Sequence, residues 1–385
     1  MSGKKKKTGK KVEQSVYDFS EKKVALVCDW LTNVGGAEKV LLALHKLYPE
    51  APIYTSKYDP KGIDWFSDAD VRTGWLQKFP TKMRRILGPL RQRYFSHLNL
   101  SEYDLVISVT GAEAKAVKVP NGKHICYCHV PTQYYWQMYD TYIKNPGFGL
   151  LNPIVRLIFR ILVVPLRWAD LKAARRPDYF VTISEYAKEQ IKKYYGREAT
   201  VIHPPVEIKD FQGGKGGKMA AHYIVTSRQV NWKRIDLAVR ACLMTQRHLL
   251  VIGDGPEHKK LVKMAKGTEL IKFLPTMGKK ELAKHLAVAK GYLFPSLEPF
   301  GIAPVEALAA GCPVIAYGEG GARDYVKSGK NGLFFEEQTA KSLAEAILKF
   351  EKMKLKREKI PGTVENFAEK RFDKEIKEFV DGKAK

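Results

Sequence analysis

Residues 291–325, GYLFPSLEPFGIAPVEALAAGCPVIAYGEGGARDY, decide how this chain folds. Tyr292 to Phe294 form a short apolar strand, and Pro295, Ser296, Glu298, Pro299 and Gly301 supply the turn chemistry that follows it. Val305, Glu306, Leu308 and Ala309 then fall in a helix that Gly311 and Pro313 end. A second buried strand at 314–316 opens into a Gly-rich loop, Gly318 to Gly321. Strand, turn, helix and strand in that order make one crossover of a parallel sheet. The first amides of such a helix have no partners within it, which suits them to a phosphate. Glu298 in the turn and Glu306 in the helix can both face a ligand held there, one on a sugar and the other on ribose hydroxyls. The plainer alternative is a crossover whose two acids are merely solvated.

The same alternation extends through the whole sequence. Apolar, β-branched runs at 23–28, 51–57, 103–109, 123–130, 178–184 and 199–203 precede Pro204, Pro205 and the glycines 213, 214, 216 and 217. Further runs at 222–226, 248–252, 271–274 and 332–335 follow them. Helical spacing fills the intervals, so the fold class is α/β, with two doubly wound Rossmann-like domains facing a cleft. The expected division is a basic disordered tail at 1–20, a first domain at 21–205, a linker at 206–218, a second domain at 219–362 and a last helix at 363–385. A chain of 385 residues, 45 % apolar, can give each domain its own core.

The net charge of +25 calls for a polyanionic neighbour, nucleic acid or an anionic membrane surface. Part of it sits in the lysine-rich tail, which lacks the apolar core of a signal peptide, so a cytoplasmic location is expected. The five cysteines are odd in number and scattered, which suits a reducing compartment; Cys126 and Cys128, two apart in an apolar strand, are expected to pack in the core. Residues 71–100 hold seven bases and no acid, interleaved with Trp75, Leu76, Phe79, Met83, Ile86, Leu87, Leu90, Tyr94 and Phe95. Such a stretch either lies on anionic headgroups or packs its apolar face on the sheet. Residues 148–173 are strongly apolar but contain Arg156, Arg160 and Arg167 and are interrupted by Pro153 and Pro165. That composition argues against a spanning helix and leaves one buried in the first domain or dipping into a membrane interface.

Other candidate site residues lie at strand ends. Gly35 and Gly36 are expected to make a tight turn before a helix, but not the dinucleotide G-x-G-x-x-G, which argues against a nicotinamide enzyme. His129 closes the 123–130 strand, a position where a lone histidine is commonly structural. Arg228 and Lys233 stand between a strand and a helix start, where they could clamp a diphosphate or be ordinary surface bases.

Taken together, SLEPFGIAPVEALAAGCPVIA, S-R-x4-K-R-x-D from Ser227, and YCHVPTQYYW from Tyr127 resemble the signatures of the retaining glycosyltransferases of family 4. The likeness covers about residues 23–380 and implies the GT-B arrangement, the first domain on the acceptor side and the second binding a nucleotide-sugar. It implies that Glu298 meets hydroxyls of the transferred sugar, Glu306 holds the ribose and His129 enters the cleft beside the sugar. Arg228, Lys233 and the amides of Gly301 and Ile302 would then stabilise the leaving diphosphate. Gly35, Gly36 and Glu38 would form the loop facing the donor, Asp254 would lie near the nucleotide, and the last helix would return to the first domain. The likeness also implies a metal-independent enzyme. The opening DWLTNVGGAEKV resembles the mannosyltransferase-like branch of bacterial surface-polysaccharide assembly. That likeness implies GDP-mannose as donor, with a UDP-sugar as the alternative, no permanently bound cofactor, and a saccharide or polyprenyl-linked acceptor at the inner face of the cell membrane. A sugar-nucleotide epimerase on the same architecture is a rival reading. A nucleic-acid-binding protein is a weaker one, since it would leave the glutamates and the clamp without purpose.

Overall fold

The computed structural model describes residues 22–212 and 220–383, other than 82, 84–86 and 145–148. The basic tail, the glycine-rich part of the linker, and Lys82, Arg84, Arg85, Ile86 and Phe148 fall outside the described residues.

Two parallel sheets carry the fold. The first has seven strands in the order β3-β2-β1-β4-β5-β6-β7: β1 (Val24–Cys28), β2 (Ile53–Thr55), β3 (Val71–Thr73), β4 (Leu105–Thr110), β5 (Lys123–Cys128), β6 (Tyr179–Thr182) and β7 (Thr200–Val201). The second has six in the order β10-β9-β8-β11-β12-β13: β8 (His222–Thr226), β9 (His248–Ile252), β10 (Ile271–Leu274), β11 (Gly291–Phe294), β12 (Val314–Tyr317) and β13 (Gly332–Phe335). This is the two-sheet doubly wound architecture read from the sequence. Continuous burial explains why the inner strands read as unbroken apolar runs: every residue of β1 and β4 is buried. In β1, Leu26 lies opposite Ile53 on one side and Ile107 on the other. Cys126 and Cys128 are core residues packed near Phe180 and Ile191, and all five cysteines are free and buried.

The helix Glu369–Lys383 buries Phe372, Ile376 and Val380. Its Phe372 ring meets Tyr127 at 6.0 Å and Phe379 meets Tyr179 at 6.3 Å, so the chain ends against the first sheet.

Two expectations need correction. The basic 71–100 stretch is not one amphipathic element: it contributes β3, a 3-10 turn at Trp75–Lys78 and a helix at Gly88–His97. Phe95 is buried in the core, and Arg91 is buried with its guanidinium on Glu113, Nε to Oε2 2.9 Å. The prolines of the 148–173 stretch do not interrupt it, because Pro153 occupies the first turn, where its missing N–H is harmless, and the helix Asn152–Ala173 runs on through Pro165. That helix is long and apolar enough to cross a membrane by length and composition, and only 6 % of its apolar window is buried.

Two histidines, His124 buried and His129 half-buried, set a pH dependence. His124 Nε2 lies 2.8 Å from Ser108 Oγ, and burial, helped by Arg176 and Arg197, pushes its imidazole down to about 3. Burial alone takes His129 down to about 4. The unfolded chain takes up these protons below roughly pH 6.5 while the folded chain refuses them, so their contribution is complete above that value and is lost toward pH 4. We expect the melting temperature to fall between pH 7 and 4.5, and His124→Asn to flatten that fall; equal acid sensitivity of the variant would remove His124 as a cause.

Candidate active site

Each sheet reverses its strand order at one point, β1 beside β4 and β8 beside β11. Ligands of doubly wound sheets lodge beyond the carboxyl ends of strands at such reversals. Here the two crevices open into one cleft of about 630 Å³, lined by Asp29, Trp30, Gly36 and His129 on one side and by Arg228, Lys233, Glu298, Gly301 and Ile302 on the other.

The turn after β11 is held by glycines. Gly301 has φ +91°, and a Cβ there would lie 2.6 Å from the Phe294 ring and 2.9 Å from Tyr325 Oη. It precedes the helix Ile302–Ala309, whose first residues face the cleft. Gly321 N donates to Glu298 O at 2.8 Å, and a Cβ on Gly321 would sit 2.2 Å from Pro299 O. The Gly-rich loop thus clasps the backbone of residues 298–300, which fixes where the Glu298 side chain points.

Glu298 and Lys233 meet directly. Lys233 Nζ is 2.6 Å from Glu298 Oε2, while Ser296 Oγ donates to Oε1 at 2.6 Å. Lys233 ends the 3-10 turn Asn231–Lys233, and its ammonium also lies 4.5 Å from the centre of the Trp232 ring. Arg228 lines the same wall, exposed, and makes no ion pair with the described residues. His129 lines the opposite wall; its Nε2 is buried with no hydrogen-bond partner among the described residues, and burial keeps the ring neutral.

Three candidates stand apart from the lining. Asp254 is exposed, its carboxylate turned back onto Gly255 N at 2.6 Å. Gly35 is extended rather than tightly turned, φ −163°, and caps the helix Gly36–Leu47. The close approach belongs to Gly36, where a Cβ would lie 3.2 Å from Ile302 Cδ1. Glu306 is held at its Oε1 by Lys39 Nζ, 3.3 Å away, and Lys39 also reaches Glu207 Oε2 at 3.0 Å. Lys39 therefore ties the helix after β1 to the helix after β11, and nothing in its sequence position beyond following Glu38 announced it.

Asp29 and the Arg91, Glu113 and Tyr134 cluster also escaped the sequence reading. Asp29 accepts from Thr110 Oγ1 at 2.9 Å, Gly111 N at 3.0 Å and Ala114 N at 2.7 Å. Burial, and then the charge of Glu113, raise its carboxyl above the ordinary range. It pins the loop after β4 that floors the cleft. Tyr134 Oη donates to Glu113 Oε1 at 2.5 Å, and Arg91 lies over the Trp30 ring at 4.9 Å. The available signal for Asp29 was an acid closing the central strand of a parallel sheet at its switch point.

Residues 209–364 match the family model described as Glycosyl transferases group 1. The second half of the chain is a group 1 glycosyltransferase domain. An uncharacterized glycosyltransferase of Methanocaldococcus jannaschii is 28 % identical over 180 residues, 46 % of this chain, and the chain spans half the length of that relative. A GDP-mannose-dependent alpha-(1-6)-phosphatidylinositol monomannoside mannosyltransferase of Mycobacterium tuberculosis is 26 % identical over 317 residues, covering 74 % of this chain and 77 % of that one. The fold is shared with the crystal structure of Anabaena HepE in complex with UDP, with TM-score 0.65, 18 % identity, and 94 % of this chain and 100 % of that chain covered. The chain thus has the two-domain GT-B architecture, and its cleft lies where the two domains face each other.

Proposed function

We propose that the protein is a retaining, metal-independent hexosyltransferase that moves mannose from GDP-mannose to a hydroxyl of a saccharide or polyprenyl-linked acceptor at the cytoplasmic face of the cell membrane. The observation that carries this reading is the contact of Lys233 with Glu298 on the cleft wall that also holds Arg228 and the helix start at Gly301. A fixed ammonium, a guanidinium and backbone amides are what a departing diphosphate needs, and in a partly closed cleft they act at full strength without a divalent ion. The acceptor O–H adds to the anomeric carbon on the face the diphosphate leaves; the C–O bond to that phosphate breaks, its electron pair stays on the phosphate oxygen, and the acceptor proton follows it there. Glu298 and neutral His129 hold sugar hydroxyls, Glu306 the ribose once Lys39 lets it go, and Gly36 gives the donor close passage. Asp254 stays near the nucleotide loop.

The name of the mycobacterial relative favours GDP-mannose and a lipid acceptor, whereas the HepE complex holds UDP. Free, buried cysteines suit a reducing compartment. A panel of GDP- and UDP-sugars, run with chelator and with the anomeric configuration of the product determined, checks the reading. Transfer from GDP-mannose with configuration kept is expected. Strict dependence on UDP-sugars removes the donor assignment, an inverted product removes the mechanism, and interconversion of donor without acceptor makes the enzyme an epimerase.

A further inference from the structure

The helix Asn152–Ala173 presents to solvent what a helix normally buries. Leu157, Ile161, Val164 and Trp168 are 60 %, 65 %, 67 % and 66 % exposed, and with Ile154 and Ile158 they recur every three or four residues. Scattered exposed apolar residues need no explanation, but a stripe that runs the length of a helix marks an interaction face. The other side is fastened to the protein. Arg156 Nη2 bonds Lys144 O at 2.5 Å, Arg167 Nε bonds Tyr135 O at 2.7 Å, and Val163, Asp170 and Ala173 are buried.

Charge selects the partner. Between residues 141 and 177 the sequence has Lys144, Arg156, Arg160, Arg167, Lys172, Arg175 and Arg176 against one acid, Asp170, which is itself buried on Lys115 at 2.7 Å. Arg160 and Lys172 stand exposed beside the stripe. A second copy would bring the same bases against themselves, whereas an anionic lipid surface offers both acyl chains and opposite charge.

The attachment of the ends decides the orientation. At 1.5 Å per residue the helix is about 33 Å long, enough to span hydrocarbon. Its first half, however, touches the segment just before it, Phe159 against Tyr139 at 5.6 Å, while at its other end Asp170 pairs with buried Lys115 and Ala173 packs in the core cluster of Val27 in β1 and Val106 in β4. Both ends belong to one folded body on one side of a membrane.

We propose that this helix lies in the plane of an anionic bilayer, its apolar stripe among the acyl chains and Arg160 and Lys172 at the headgroups. The segment it packs on includes Gln133, Tyr134 and Tyr142, which line the cleft, so the acceptor side of the site is brought to the lipid surface. The inference rests on the proposed function only for the lipid anchor of the acceptor; the docking itself does not depend on the donor.

Co-sedimentation of the full chain with vesicles of phosphatidylcholine, with and without phosphatidylglycerol, tests it in the absence of nucleotide. The wild type is expected to bind the anionic vesicles and to be released by alkaline carbonate. Leu157→Ser with Ile161→Ser should lower binding roughly tenfold or more, and Arg160→Glu with Lys172→Glu should remove the preference for phosphatidylglycerol. Unchanged thermal melting shows that these substitutions leave the fold intact. No binding by the wild type, equal binding by the serine variant, or resistance to carbonate overturns the proposal. So does a vesicle-free dimer that the serine variant dissolves, which assigns the stripe to a second copy. Titration with GDP and UDP is read separately: its failure counts against the donor site and leaves the docking result standing.

Discussion

Lys233→Ala is expected to lower kcat/KM for glycosyl transfer by about a hundredfold to a thousandfold, the effect of removing one preorganised charge from a developing anion. The ammonium sits on Glu298 at 2.6 Å. When a donor enters, the same ammonium has two anions within reach, and as the bond to the leaving diphosphate lengthens the balance shifts toward the phosphate. The loss should therefore appear mainly in kcat, with the affinity for nucleoside diphosphate reduced less. Lys233→Arg keeps the charge but moves it onto a planar fork, so partial activity is expected. The rival explanation is that Lys233 only neutralises Glu298. The double variant Lys233→Ala with Glu298→Gln separates the two when compared with Glu298→Gln alone: if neutralisation were the whole role, the two would be equally fast. A double variant slower than Glu298→Gln by about a hundredfold or more, measured by initial rates at saturating donor, supports a direct role at the phosphate.

How much of this was legible beforehand follows from what kind of contact each residue makes. The strands read correctly because parallel strands buried on both faces leave unbroken apolar runs such as VALVC and LVISVT. The 291–325 unit read correctly because its glycines are forced by local geometry, Gly301 by a positive φ and Gly321 by a carbonyl 2.2 Å from where its Cβ would be. Lys233 and Glu298, sixty-five positions apart in the sequence, were legible as separate candidates, but their direct contact was not, since it depends on how β8 and β11 pair. Lys39 was invisible for the same reason: its partners Glu207 and Glu306 lie on other elements. The 71–100 stretch misled because its charge count says nothing of where each base goes. Arg91 goes inward to Glu113 and Arg72 outward to Asp70, at 2.7 Å. The 148–173 helix misled in the opposite sense, because proline near a helix start is permissive rather than disruptive and an apolar run does not reveal whether anything covers it.

Asp170→Ala is expected to cost about 3–5 kcal/mol, a large share of the stability of an ordinary domain. The Asp170 carboxylate is fully buried and serves four groups: Lys115 Nζ at 2.7 Å, Thr132 Oγ1 at 2.9 Å, Trp136 Nε1 at 2.7 Å and Tyr195 Oη at 2.8 Å. Burial works against the Lys115 charge, but the carboxylate overrides it and holds the ammonium well above its ordinary value. Truncating Asp170 takes the shared acceptor from that buried cation and from three donors, and desolvated groups without partners are what make a broken buried pair so costly. Replacing both ends, Lys115→Met with Asp170→Leu, removes the stranded charge and should recover a good part of the loss. Denaturant unfolding of the two variants decides the matter: a double variant as unstable as Asp170→Ala would mean that the hydrogen bonds to Thr132, Trp136 and Tyr195, and not the ion pair, carry the energy. The same carboxylate fastens the long exposed helix to the segment bearing Gln133 and Tyr134 at the cleft. Where the Asp170→Asn variant still folds, the acceptor KM should therefore rise while affinity for nucleoside diphosphate stays near that of the wild type, because the wall that loosens is the one opposite Arg228 and Lys233.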